Sequence, residues 1–564
     1  MDIQRIVLGG ALAVTTYLLI LQWNQDYGQP EVVQSAAEQP APVSRDSVSL
    51  DAPATPASTS SDSLPSDAAT TAAAVSIDDT TNTNEWVIES DTLRLTIDLN
   101  GGDVVRSELI QYPIVQARPE LAFALLDNRE RTYLAQSGLT QIDTAQGRPQ
   151  YRPASDTQVM QSDRLEVPLV WENDQVRVTK TFTLLKGSHT VQVTHQVENL
   201  SAEPLRTAPF LQLKRDNSSD PSTQTSMGVQ AFLGYALKTA EERYFKIDLD
   251  EVGDRPYITG VNTDLKTQSV AGSYLALVQH YFVSAWVPDA DDQPVYSFTQ
   301  TAAGDNVGRI VGQAVQLAPG QSTTFAANLY TGPKDQDTLE SLSDGLNLTV
   351  DYGWLWFISQ PIFIVLSFLQ EYLGNWGLSI MAVTLLVKLA FFKLSASAYA
   401  SMARMRKFTP EMTRLRELYG DDKQRLSKEM MDLYKKEKIN PLGGCLPILV
   451  QMPVFLALYW VLLESVELRH APFFLWITDL SVKDPYFVLP LLMGVSMFIQ
   501  QMLNPTPPDP MQAKIMRIMP VAFTFFFLWF PAGLVLYWVT NNVLSIAQQY
   551  VITKRIEQGD TDAA

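Results

Sequence analysis

Lys388 stands inside a largely apolar run, GLSIMAVTLLVKLAFFKL from Gly377 to Leu394. An ammonium at the centre of a lipid-surrounded helix costs about 2.5–3.5 kcal/mol on insertion scales, so it calls for water or a partner. Thr384 lies four residues earlier and shares its helical face. Near the C-terminus a second polar stripe recurs at helical spacing, Tyr537, Asn541, Ser545 and Gln548, with Asn542 and Gln549 beside it. A third apolar run contributes Gln451 and Tyr459. No nucleophile and base are paired here. The chemistry on offer is hydrogen bonding and one positive charge, a wall that water or a polar chain segment can wet. Two readings stay open on residue chemistry alone. Asn, Gln and Thr commonly glue membrane helices together without any cavity, and Lys388 is about 7.5 Å along a helix from Lys393, so its stem can reach toward the surface.

Other chemistries are excluded by what the chain lacks. Cys445 is the only cysteine, which rules out an intrachain disulfide. The four histidines (His189, His195, His280, His470) have no metal-ligand spacing, and no GxxxxGK[ST] loop occurs. No cofactor is called for. Residues 1–353 hold 45 of the 61 acids and 23 of the 42 basic residues, minus 22, and the rest is plus 3. The acidic half argues against direct nucleic-acid binding.

The elements that must position the polar face follow from composition. Residues 1–23, with Ile6 to Leu21 apolar and no cleavage site, read as a transmembrane anchor. Residues 24–84, rich in Ala, Ser, Thr, Pro and Asp, read as a disordered acidic linker. From Glu85 the pattern alternates: Leu93, Leu95, Ile97 and Leu99; Val176, Val178 and, after Lys180, Phe182 and Leu184; Val191, Val193, His195 and Val197. This predicts a large antiparallel β-sandwich over 85–345. Residues 354–374 carry a polar stripe (Gln360, Ser367, Glu371) and terminal tryptophans, which predicts an amphipathic helix lying in the membrane interface, with a further span as the competing reading. Five spans follow at 375–395, 445–464, 486–503, 515–530 and 533–552, with a tail at 553–564. Lys393 to Lys438 holds twelve basic residues against seven acids, whereas the loop Glu464 to Pro485 holds two against four. The positive-inside rule then puts both termini in the cytoplasm and the sandwich on the other side.

The basic segment is itself patterned. Thr409-Pro410-Glu411 starts a helix. Met412, Leu415, Leu418 and Tyr419 share a face, as do Leu426, Met430, Leu433 and Tyr434 after a turn at Gly420. Residues 396–440 are therefore expected to form a cytoplasmic helical hairpin.

The stretch GDDKQRLSKEMMDLYKKEKINPLGGCLPILVQMPVFLALYW, Gly420 to Trp460, together with FLWFPAGLVLYW, Phe527 to Trp538, closely resembles the YidC/Oxa/Alb family of bacterial membrane protein insertases. The resemblance implies an α-helical membrane protein with a five-helix core, an anchor helix and a periplasmic sandwich similar to galactose-mutarotase-like folds. It implies a groove open to cytoplasm and lipid, carrying a basic residue, often arginine, that maps onto Lys388. Thr384, Gln451, Tyr459, Tyr537, Asn541 and Ser545 would contact clients there. It further implies insertion without nucleotide into the inner membrane, with nascent membrane proteins, the lipid bilayer, the Sec translocon and ribosome–nascent chain complexes as partners. A solute transporter and a membrane-tethered carbohydrate-processing enzyme are the rival readings.

Overall fold

The computed structural model describes residues 84–558 apart from 145–146, 223–230, 255–256, 259–269, 290–293, 421, 437–445 and 505–509. The expected anchor, the linker up to residue 83 and the end of the tail lie outside the described residues.

Two nine-stranded antiparallel sheets face each other over residues 85–333. The first runs from Glu85–Glu89 at one edge, through Pro209–Arg215, to Tyr257–Ile258 at the other. In the second, Ser322–Pro333 lies between Phe282–Pro288 and Thr190–Asn199. Period-two alternation drives this packing: Leu93, Leu95, Ile97, Val191, Val193 and Val197 all point into the shared core. Lys180 does not break the alternation. It keeps the inward register of Val176–Leu185, sits opposite His195, and is fully buried. Its ammonium donates to the carbonyls of Gly101 at 3.1 Å and Ser137 at 2.9 Å. Arg148 alongside pairs with both Asp103 and Asp143. Burial pushes the Lys180 ammonium down to about 8.

The sandwich is bonded to the helical part. A short helix, Gln336–Leu342, is capped by the Asp335 side chain and leads through two 3₁₀ turns to α1, Trp356–Leu373. Then come α2 (Trp376–Ala390), α3 (Phe392–Lys407), α4 (Thr409–Tyr419), α5 (Lys423–Lys436), α6 (Leu446–Glu464), α7 (Val488–Leu503), α8 (Pro510–Phe526) and α9 (Ala532–Glu557). Lys334 and Glu464, at the end of α6, form a buried ion pair at 2.6 Å. His280 donates from Nε2 to the Leu463 carbonyl at 2.8 Å, and Arg469 to the Pro113 carbonyl at 2.7 Å. At this seam burial, with Asp335 adding to it, pushes the Glu467 carboxyl up to about 7.

The helical part is built the other way round from the sandwich. Large apolar side chains such as Leu386 on α2, Val495 and Phe498 on α7 and Val521 on α8 are exposed, a belt that only an apolar solvent satisfies. Inside, α1 packs on α2 and α6, and α9 packs on α2, α3 and α7. Three of the expected segments have other boundaries: the one expected at 515–530 is α8, Pro510–Phe526, followed by a 3₁₀ turn at Phe527–Trp529. The run read as one span through Leu394 stops at Ala390, and α3 leaves at 69° after Phe391; mean apolarity cannot reveal a turn between two helical stretches. The last helix continues to Glu557 because nothing in its sequence ends it at Ile552. Among the described residues, Gly353–Leu373 meets the length and composition of a membrane-crossing helix, as does the bent pair α2 and α3 taken together. Ser359 on α1 is buried and donates to the Ala457 carbonyl of α6 at 3.1 Å.

Candidate functional site

A cavity of about 1140 Å³ lies between α3, α6, α7, α8 and α9. Six of the residues singled out from the sequence line it: Gln451 and Tyr459 from α6, and Tyr537, Asn541, Asn542 and Ser545 from α9. Helical spacing explains this, since Tyr537, Asn541 and Ser545 repeat every four residues and stay on one face. The lining is graded. Gln451, Gln500, Gln501, Asn504, Asn541, Asn542 and Ser545 line one end, beside Tyr399 and Met402 of α3. At the other end Tyr459, Phe527, Phe530, Phe455, Tyr537 and Trp538 interlock, with Phe455 and Trp538 edge to face at 4.6 Å and Phe527 and Phe530 at 5.0 Å. Five methionines (Met402, Met452, Met497, Met516, Met519) lie between and around them. Unbranched thioethers adapt to varied apolar shapes.

Lys388 and Thr384 are not on the lining. Both are buried between α2 and α9. Thr384 donates back to the Ile380 carbonyl of its own helix at 2.6 Å. The Lys388 ammonium donates to Ser545 Oγ at 2.7 Å, and Ser545 in turn donates to the Asn541 carbonyl at 2.6 Å. The cation therefore stands one hydroxyl behind the cavity wall. Among the described residues no carboxylate pairs with it. The expected wall of first, second and last core helices is corrected accordingly: α2 backs the wall, and α7 and α8 complete it.

Sequence reasoning passed over Gln500, Gln501 and Asn504 at the end of α7. Their signal was there, three amides within five residues closing an apolar run. Asn504 accepts from Gln549 Nε2 at 2.8 Å, and Asn542 donates to Ser496 Oγ at 3.0 Å, so part of the α9 stripe does act as helix-to-helix glue. Gln548, the last member of the stripe, donates to the Phe392 carbonyl at 3.1 Å.

The hairpin residues turn toward one another. Met412 is buried and accepts from the Tyr434 hydroxyl at 3.6 Å, and Leu415, Tyr419, Leu426, Met430 and Tyr434 are half-buried between α4 and α5. Arg425 stacks over the Tyr419 ring at 4.9 Å. The outward apolar residues are Leu418 and Met431.

Residues 85–365 match the YidC periplasmic domain, and residues 368–559 match the family described as 60Kd inner membrane protein. A membrane protein insertase YidC of Stutzerimonas stutzeri is 50% identical over 99% of both chains, and one of Marinomonas is 50% identical over 99% of this chain and 100% of its own. Among solved structures, an active YidC insertase matches with a TM-score of 0.38 at 19% identity, covering 84% of this chain and 93% of its own. A galactose mutarotase-like protein from Lactobacillus casei matches with a TM-score of 0.31 at 10% identity, over 44% of this chain and 99% of its own. An inner-membrane protein with a periplasmic sandwich is the class these sequence matches define. The chain belongs to the YidC family of membrane protein insertases. It is not an enzyme.

Proposed function

We propose that the graded cavity is the route by which a client segment passes from the cytoplasm into lipid, and that Lys388 serves it through Ser545. The supporting observation is the polarity gradient: amides and hydroxyls toward α3, an aromatic plug toward the sandwich. An apolar client helix gains about 0.3–0.6 kcal/mol from lipid for each Leu, Ile, Phe or Val, while each charged flanking residue costs several times as much. A polar chamber partway across shortens the dry path for that flank. The Ser545 hydroxyl can turn its proton from the Asn541 carbonyl to a client carboxylate while still accepting from the ammonium, which relays the charge to the wall without moving the lysine backbone. Methionines accommodate unlike client side chains.

In this reading the chain spans the membrane six times, at 1–23 and the five segments expected from the sequence, with both termini cytoplasmic, 24–84 as a tether, 354–374 in the outer interface and 396–440 as a cytoplasmic hairpin. Leu418 and Met431 on that hairpin are the apolar residues free to meet a client. Nascent membrane proteins and lipid are the partners that insertion requires. The Sec translocon and ribosome–nascent chains are proposed as deliverers. The transporter and carbohydrate-enzyme readings are not favoured, because the sandwich and the helices together match insertases end to end.

The test is insertion into liposomes of a small client with a short acidic translocated tail. Lys388→Ala should slow it roughly fivefold, the factor that ~1 kcal/mol of transient ion pairing makes, and should leave a client with an uncharged tail unaffected. Equal slowing of both, or of neither, overturns the role of the cation.

A further inference from the structure

The turn between strands Asp103–Pro113 and Ala122–Asp127 presents Ile114, Val115 and Leu121 to solvent at 53%, 46% and 40% exposure. This is a built turn. Ile114 donates its N–H to Leu121 at 2.8 Å, Arg118 to Val115 at 2.9 Å and Leu121 to Arg118 at 3.1 Å. Its base is fixed to the loop after α6: Arg469 donates to the Pro113 carbonyl, and Gln116 Nε2 donates to the His470 carbonyl at 3.0 Å. Three residues on, that loop is held against the start of α2, where Asn375 Nδ2 donates to the Pro472 carbonyl at 3.3 Å and the Phe473 ring packs on Gly377. Beyond it, Phe474 and Leu475 are exposed at 53% and 87%, Leu475 in the left-handed region at φ 57°. That φ belongs to the tight turn in which Ile477 donates its N–H to the Phe474 carbonyl at 3.2 Å, and the turn sets two adjacent large apolar side chains outside the fold.

We infer that Ile114, Val115 and Leu121, together with Phe474 and Leu475, form a foot on which the sandwich rests in the outer leaflet, the occupant being the acyl and headgroup boundary of the lipid. The argument is continuity. The bonds through Arg469, Gln116 and Asn375 tie the turn to the outer end of the exposed apolar belt of the helices, so one lipid surface covers both. Soluble partners would need no such alignment with the helix ends. The foot fixes the height of the sandwich over the bilayer and so the level at which the Lys334–Glu464 seam sits.

The inference rests on the spanning reading of the helices, and the experiment separates the two. The full chain, with Cys445→Ser, receives single cysteines at Val115 (foot), Val495 (exposed on α7) and Leu200. Leu200 follows Thr190–Asn199, roughly 33 Å along the strand from the seam-proximal end. Each is labelled with an environment-sensitive fluorophore and reconstituted in vesicles with or without brominated lipid. The expected result is a blue shift and bromine quenching at 115 and 495 and neither at 200. Quenching at 495 without quenching at 115 overturns the foot alone. No quenching at 495 overturns the spanning reading. Quenching at 200 as well means the whole sandwich lies on the surface, and a shift at 115 that depends on protein density rather than on lipid means a second copy covers it; either result overturns the inference.

Discussion

The sandwich and the helical bundle both bury cations, and they treat them in opposite ways. Inside the sandwich, Arg148 is clamped by Asp103 and Asp143, and Lys180, bonded to two carbonyls, lies in the field of the same two carboxylates. At the seam, Lys334 has Glu464. In the bundle, Lys388 has a hydroxyl. A buried charge with a partner of opposite sign is a fixed part of the core, because removing either member strands the other. A buried charge held by one neutral hydroxyl leaves nothing stranded when it is engaged elsewhere. The difference separates charges that hold the fold from a charge available for work.

That contrast can be broken by substitution. The largest effect is expected for Arg148→Met, which leaves two buried carboxylates unpaired and should cost about 3–5 kcal/mol in denaturant unfolding of the sandwich; a loss under ~1 kcal/mol would mean the pairs are dispensable. Glu467 should give an intermediate, pH-dependent effect. Its folded value near 7 lies above the ordinary 4.5, so the native state holds the extra proton. The associated stability is fully present below about pH 4.5 and is lost as pH rises through 7. Thermal melts across that window should show the decline, and Glu467→Gln should flatten it. The smallest effect on stability is expected for Lys388→Met, unchanged or slightly higher, since no carboxylate is left behind and Ser545 keeps its bond to Asn541. A melt lowered as much as by Arg148→Met would erase the distinction between the two regions.

Much of the sandwich could be read in advance because strands with one face toward solvent alternate with a period of two, as Val191, Val193 and Val197 show, whereas strands such as Phe282–Pro288 are buried throughout and give no such signal. The same rule placed His195 inward and, carried through Lys180, would have predicted a buried ammonium. The polar stripe of α9 was equally legible, since a four-residue repeat can only lie on one face. What could not be read was which neighbour that face meets. Lys388 and Ser545 are 157 residues apart, and no local pattern says that α2 passes behind α9 rather than beside the cavity. The hairpin shows the same limit: an apolar face in sequence marks burial, and here Met412 and Tyr434 use it to bury each other.

The break at Phe391 has a mechanical consequence. Since a single residue joins α2 to α3 at 69°, Tyr399 and Met402 hang from that joint as the far end of a lever. From Phe391 to Met402 the arm is roughly 16 Å, so a swing of about 10° displaces Met402 by ~3 Å. A client pressing on that end of the chamber works against the packing of Tyr399 and Ala400 on Ile552 of α9, so this contact, rather than the joint, sets how far the lever swings.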